Sequence, residues 1–132
     1  RRGLVYAMDL RADTLDSLKK RIFFEKLTNI KIIHSSDKLK IPLGREILDA
    51  VFLYDVIHDH YFTDQERARL LVEVNRILKP GGLLSIYPKH IEVERVIEAV
   101  EQNNFNLKQR MQVTLIHDDE PVEDVILNFS KS

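Results

Sequence analysis

TDQERARLLVEVNRILKPGGLLSIYP, residues 63–88, decides the fold. Thr63 and Glu66 form a capping box, in which hydroxyl and carboxylate each satisfy a free backbone N–H at a helix start. Leu70, Leu71, Val74, Ile77 and Leu78 follow at helical spacing and make one apolar stripe. Pro80, Gly81 and Gly82 stop the helix and turn the chain. LLSIYP, 83–88, then reads as a strand. Just upstream, ILDAVFLY (47–54) is almost continuously apolar, as a parallel strand covered on both faces is.

The same alternation extends in both directions. GLVYAMDL (3–10) and NIKIIHSS (29–36) read as strands. Between them, residues 13–27 read as a helix, with Asp13 as its cap and Leu15, Leu18 and Ile22 on its inner face. DKLKIPLGRE is a loop. Val93, Val96, Ile97 and Val100 mark a helix over about 91–103. From Phe105 to Leu115 apolar and polar residues alternate, HDDEP turns the chain, and VEDVILNF (122–129) returns. So short a connection makes the last two strands antiparallel. Strands alternating with helices imply an α/β layered fold with a mostly parallel sheet. No repeat, linker or low-complexity segment divides the chain, so residues 1–132 are expected to form a single domain.

Composition narrows the function. Of 132 residues, 44% are hydrophobic and 31% charged, which is ordinary for a globular protein. The formal net charge of -1 provides no general attraction to nucleic acid or to an anionic membrane, so neither is expected as a partner. The chain has no cysteine, which excludes disulfides, thiolate metal sites and cysteine nucleophiles within it. That fits a reducing compartment, and a cytoplasmic location is expected. No apolar run approaches the roughly 18 residues of a membrane-spanning helix, and no signal peptide is visible. GxSxG and GxxxxGK[ST] are both absent.

In layered α/β folds ligands bind at the carboxyl ends of the strands. Asp9, Ser36, Asp37, Tyr54, Asp55, Pro88, Lys89 and His90 stand there. Asp55 and His58 are candidates to position or deprotonate a substrate; the plainer reading has Asp55 capping a turn and His58 packing beneath it. Lys89 and His90 are candidates to face substrate. His58 and His60, near Asp55 and Asp59, lack a third ligand at convincing spacing, so no metal is expected. Asp118, Asp119 and Glu120 read as solvated turn residues.

Four stretches carry a resemblance. VYAMDL, HSSDKLKIP, LDAVFLYDVIHD and EVNRILKPGGLLSI, with the closing hairpin, resemble the class I S-adenosylmethionine-dependent methyltransferases. The likeness is nearest to the small-molecule group that includes the ubiquinone and menaquinone C-methyltransferases. It implies a Rossmann-like sheet and S-adenosylmethionine as cofactor. Asp9 then meets the ribose hydroxyls, and Asp37, five residues before a Pro, meets the adenine amino group, with Lys38 offering a backbone contact. Leu10, Ser36 and Tyr54 complete the implied cofactor set, and Asp55, His58 and His90 are the catalytic candidates. The acceptor implied is a small molecule. LYDV stands where amino-methylating members carry Asn/Asp-Pro-Pro-Tyr.

The family's first strand carries a GxGxG loop. The four glycines here, Gly3, Gly44, Gly81 and Gly82, form no GxG. The expectation is a domain truncated at its N-terminus, with its first, central strand missing and a partner chain or second copy covering the gap. Two alternatives stay open. One is a non-catalytic, degenerate methyltransferase fold used as a binding or interaction module. The other is a nicotinamide-dependent dehydrogenase fragment, since Asp9 fits a ribose there too; the hairpin and the Asp37 loop argue against it.

Overall fold

The computed structural model describes residues 3–132 (for His117, the backbone alone). The chain forms two compact units, Arg1–Ile41 and Pro42–Ser132.

In the first unit, β1 (Val5–Asp9) and β2 (Ile30–His34) pair in parallel, Val5 opposite Ile30 and Asp9 opposite His34. Helix α1 (Ala12–Phe24) connects them. Its inner side carries Leu15, 3% exposed, with Leu18 and Ile22 half-buried. The expected cap is not observed. Arg11 occupies the N-cap position with no side-chain cap. Asp13 lies inside the first turn, where its carboxylate accepts from the Thr14 N–H (2.9 Å) and from the Arg11 guanidinium (2.8 Å). A carboxylate one turn into a helix still complements the positive end of the helix dipole.

In the second unit, β3 (Leu48–Tyr54), β4 (Leu78–Tyr87), β5 (Phe105–His117) and β6 (Glu120–Lys131) form one sheet in the order β3-β4-β6-β5. The β3–β4 ladder is parallel; the β4–β6 and β5–β6 ladders are antiparallel. Among the described residues there are thus two parallel ladders, and two antiparallel ones that both involve β6, the returning strand of the hairpin, in an α/β Rossmann-like fold. The closing hairpin is antiparallel as expected. Its turn is Asp118–Asp119, both at positive φ (51° and 62°), the sign that a type I′ turn demands of its two central residues.

Helix α2 (Asp64–Ile77) begins with the expected capping box, Thr63 and Glu66 each accepting from the other's backbone N–H at 3.1 Å. It ends in a way the sequence does not announce. The Pro-Gly-Gly segment is not a free turn, because β4 starts directly at Leu78. Leu48 pairs with Leu78 and Ala50 with Leu83, so Lys79–Gly82 bulges out of the ladder, where a strand tolerates proline. A Cβ on Gly82 would lie 2.8 Å from the Lys79 carbonyl oxygen and 3.3 Å from that of Asp49, so the bulge needs glycine there. The half-buried Lys131 ammonium donates to the Asn75 (2.6 Å) and Leu78 (2.7 Å) carbonyls, fastening β6 to the negative end of α2.

Helix α3 (Val93–Glu101) lays Val96, Ile97 and Val100 inward. These three, the α2 stripe, Leu84 and Ile86 of β4, and Phe105, Leu127 and Phe129 of the hairpin are all buried and make the core. No helix among the described residues is long and apolar enough to cross a membrane.

Candidate functional site

Candidate residues in the first unit lie at the carboxyl ends of β1 and β2, which the parallel register brings level. The Ser35 N–H donates to the Asp9 carbonyl (3.1 Å) and extends the ladder past His34. Asp9 Oδ1 accepts from the Arg11 N–H at 3.0 Å and shapes the β1–α1 loop. Asp37 Oδ1 accepts from the Leu39 N–H at 2.9 Å. Each carboxylate thus spends one oxygen on its own loop, and Oδ2 of each has no hydrogen bond among the described residues. Leu10 is exposed, and its carbonyl meets His34 Nε2 at 3.0 Å. Ser36 is exposed and Lys38 half-buried.

The serine that organises this loop is Ser35, which the sequence reading passed over. It is 9% exposed; its Oγ donates to the Asp37 carbonyl (2.9 Å) and accepts from the Asp37 N–H (3.2 Å). Adjacent serines carry no signal that tells which one points inward, although strand alternation from Ile33 supplies a hint.

Candidate residues in the second unit lie at the carboxyl ends of β3 and β4. Tyr54 pairs with Tyr87, and the Asp55 N–H donates to the Tyr87 carbonyl at 3.2 Å. The Tyr54 hydroxyl meets Ser85 Oγ at 2.9 Å. Asp55 (φ 57°) and His90 (φ 64°) both adopt the left-handed conformation, one beyond the end of each strand. Non-glycine residues there cost roughly 1–2 kcal/mol, somewhat less for Asp, whose short side chain bonds locally.

Here the fold assembles something the sequence shows only in part. His58 is 6% exposed, and its Nε2 stands 3.5 Å from Asp55 Oδ1. His58 Nδ1 is buried without a hydrogen-bond partner. The His58 ring centroid lies 5.2 Å from that of His60, 5.5 Å from that of His90 and 4.6 Å from that of Tyr61. His60 and His90 are themselves 5.8 Å apart. So Asp55, His58 and His90, all candidates, share one place, with His60 beside them. Lys89 is half-buried and Pro88 buried. Among the described residues no group of three His, Cys, Asp or Glu stands at metal-ligand geometry.

A buried arginine, missed in the sequence, builds the loop that carries these imidazoles. Arg67 of α2 is 3% exposed. Its guanidinium donates to the Ile57 (2.9 Å) and Phe62 (3.2 Å) carbonyls, to Asp59 Oδ1 (3.0 Å) and to Asp64 Oδ1. Arg95 of α3 reaches the same acids, Asp59 at 3.1 Å and Asp64 at 3.0 Å. Both carboxyls are held below the usual carboxylate range, Asp59 chiefly by Arg95 and then Arg67, Asp64 chiefly by Arg67 and then Arg95. Tyr87 closes the other side. Its hydroxyl donates to Asp124 Oδ2 at 2.9 Å.

Burial first, then the Asp124 carboxylate, push the Tyr87 phenol up to about 12. The fold favours the neutral ring. The stability this group contributes is therefore whole below its ordinary pKa of 10 and lost as pH rises from 10 towards 12. Ultraviolet titration of phenolate should show one tyrosine ionising last, in step with unfolding, and Tyr87→Phe should remove that step. A late step that survives the substitution would assign it elsewhere.

A family model described as a methyltransferase domain matches residues 1–86. The probable tRNA methyltransferase 9B of Homo sapiens is 36% identical over 74 residues, which are 56% of this chain and 14% of that protein. Its Mus musculus counterpart is 37% identical over 74 residues, with the same shares. The match thus spans about one seventh of the length of these curated relatives, 14%. Among solved structures, a SAM-dependent methyltransferase from Aquifex aeolicus superposes with a TM-score of 0.79 at 19% identity, covering 98% of this chain and 70% of that one. The N-methyltransferase NodS from Bradyrhizobium japonicum, in complex with S-adenosyl-L-homocysteine, gives 0.73 at 16% identity, covering 97% and 66%. At such identities the likeness is one of fold. The family match extends well past half the chain: the chain belongs to the methyltransferase domain family, the class I S-adenosylmethionine-dependent methyltransferases.

Proposed function

We propose that this chain serves S-adenosylmethionine-dependent methyl transfer, with Asp9 and Asp37 holding the donor and a nucleoside in RNA as the acceptor. The observation that carries the donor assignment is that Asp9 ends β1 opposite His34 and Asp37 follows in the loop after β2, each with Oδ2 uncommitted. Carboxylate oxygens suit what the donor offers at its nucleoside end, a ribose diol and an adenine amino group, all hydrogen-bond donors. Leu10, Ser36 and Lys38 flank these acids.

Bound S-adenosylmethionine supplies a methyl group already activated by a sulfonium, so the chemistry asked of the protein is mainly alignment and exclusion of water. Where the acceptor must lose a proton, Asp55 and His90, both exposed beyond the strand ends, are the groups to take it. His58 stands beside them, its Nε2 facing the Asp55 carboxylate and its Nδ1 buried without a partner. The His90 ring borders the same place.

The RNA acceptor rests on the curated relatives, whose names are those of tRNA methyltransferases. A small-molecule acceptor is the second reading. It is favoured by the charge of Pro42–Ser132, which has ten Lys and Arg against sixteen Asp and Glu, a balance of -6 that repels a polyanion.

Calorimetric titration with S-adenosylhomocysteine tests the donor site. Asp9→Ala and Asp37→Ala should each weaken binding by about tenfold or more, the worth of a charge-assisted hydrogen bond. Unchanged affinity in both variants would remove these acids from the site. Transfer of a tritiated methyl group to unfractionated tRNA, compared with a small-metabolite extract, separates the two acceptors.

A further inference from the structure

The end of helix α1 and the two residues after it read KKRIFFEK, residues 19–26. Phe23 and Phe24 are each 80% exposed, the most exposed large hydrophobic residues among those described. Their rings meet edge to face, centroids 6.1 Å apart at 77°, and form a corner. Neither is needed for the packing of α1, whose inner side is Leu15, Leu18 and Ile22.

The rings stand among cations. Lys19 precedes Phe23, and Lys20 precedes Phe24, by four residues, the spacing that places side chains together on a helix. Arg21 is paired with Glu25 (2.9 Å) and Lys19 loosely with Asp16 (3.9 Å). Lys20 and Lys26 have no ion pair among the described residues. The segment carries four cations and one anion. Across Arg1–Ile41 the count is ten Lys and Arg against five Asp and Glu, a balance of +5, which with -6 for the rest gives the chain's -1. A near-neutral protein thus concentrates its positive charge in the unit that displays two bare aromatic rings.

From this we infer that the C-terminal end of α1 is a docking platform for single-stranded RNA. Unpaired bases stack on Phe23 and Phe24, and the flanking phosphates meet Lys20 and Lys26. Aromatic faces within a basic surface are how proteins bind unpaired nucleic acid, since every base has a π face. Symmetric pairing with the same face of a second copy is disfavoured, because it would bring two +5 units together. An anionic membrane fits less well, because the exposed apolar residues of α1 form a corner at one end and not a stripe along the helix. The inference deepens the RNA reading above and rests on it for the link to methyl transfer, but binding is measured without turnover.

Fluorescence anisotropy with labelled single-stranded and double-stranded RNA 12-mers tests it in the whole chain. Phe23→Ala/Phe24→Ala should weaken single-strand binding on the order of tenfold or more. Lys20→Ala/Lys26→Ala should lower the slope of log affinity against log salt by about 1.4, two phosphate contacts at the single-strand value. Both variants change exposed residues only, and their affinity for S-adenosylhomocysteine should equal that of the parent, which shows that the fold and the donor site are intact. Equal affinity of parent and Phe variant for single strands overturns the platform, as does a preference for duplex. Binding to phosphatidylserine vesicles, or a dimer in sedimentation velocity, overturns it too if the Phe substitutions abolish that association and leave RNA affinity unchanged. If RNA fails to bind while S-adenosylhomocysteine does, the donor assignment stands with a small-molecule acceptor; if RNA binds and S-adenosylhomocysteine does not, the platform stands alone.

Discussion

Arg67→Ala should lower the unfolding free energy by about 2–4 kcal/mol, read as a drop in the urea midpoint with little change in slope. The side chain is almost wholly buried and satisfies two carbonyls of the loop it supports, Ile57 and Phe62. Removing it strands those oxygens beneath the loop. Asp59 and Asp64 lose less, since their side chains are 53% and 81% exposed and rehydrate. The effect on binding should be sharper than the effect on stability, because the loop from Ile57 to Phe62 carries His58 and His60. Arg67→Lys keeps the charge but has neither the fork nor the reach for four acceptors, and it should recover less than half of the loss. A midpoint shift worth under about 0.5 kcal/mol for Arg67→Ala would show that water replaces the guanidinium at no cost.

Phe129→Ala should cost about 3–5 kcal/mol, the usual range for a buried aromatic cut to a methyl. Phe129 is fully buried on β6, opposite Leu84 of β4 and Leu107 of β5. It therefore lies where two ladders meet, and neither neighbouring strand can close the hole without breaking register. Phe129→Leu should cost much less, within about 1.5 kcal/mol, as a swap that keeps most of the volume. Equal losses for Ala and Leu in chemical denaturation would place the cost in ring contacts and not in the cavity.

What the sequence revealed was local. The capping box at Thr63, the α2 stripe and the closing hairpin are each set by residues within a turn or two, and each appears as read. Pro80-Gly81-Gly82 looked like a free turn because its spelling is that of one. Pairing with β3, thirty residues earlier, draws it into a bulged strand, and no local pattern records that pairing. Asp13 looked like a cap because Asp favours that position, but the helix begins one residue earlier.

The same division holds for the site. Asp9 and Asp37 could be picked out because strand ends are readable. Asp55, His58 and His90 could be picked out too, but their convergence joins two strand ends more than thirty residues apart. Arg67 sits on a helix, where a charged residue usually reads as exposed, and its inward turn depends on the loop it supports. The Tyr87–Asp124 hydrogen bond spans 37 residues and left no local trace.

The order of strands in the second unit has a consequence for how the chain is made. Its two-residue turn lets β5 and β6 zip together with little loop to close, on a timescale of microseconds. Yet β6 is the strand that joins β4 to β5. On a translating ribosome β3 and β4 emerge first and must wait, with one flank of β4 bare, for about forty further residues to be added. At the usual pace of elongation that is a delay of seconds, long against helix formation, hairpin formation and collapse. Nascent chains of this protein therefore pass through a window in which an unpaired strand is open to the wrong neighbour, and a chaperone or a synonymous codon change that alters that delay acts on yield without altering the finished fold.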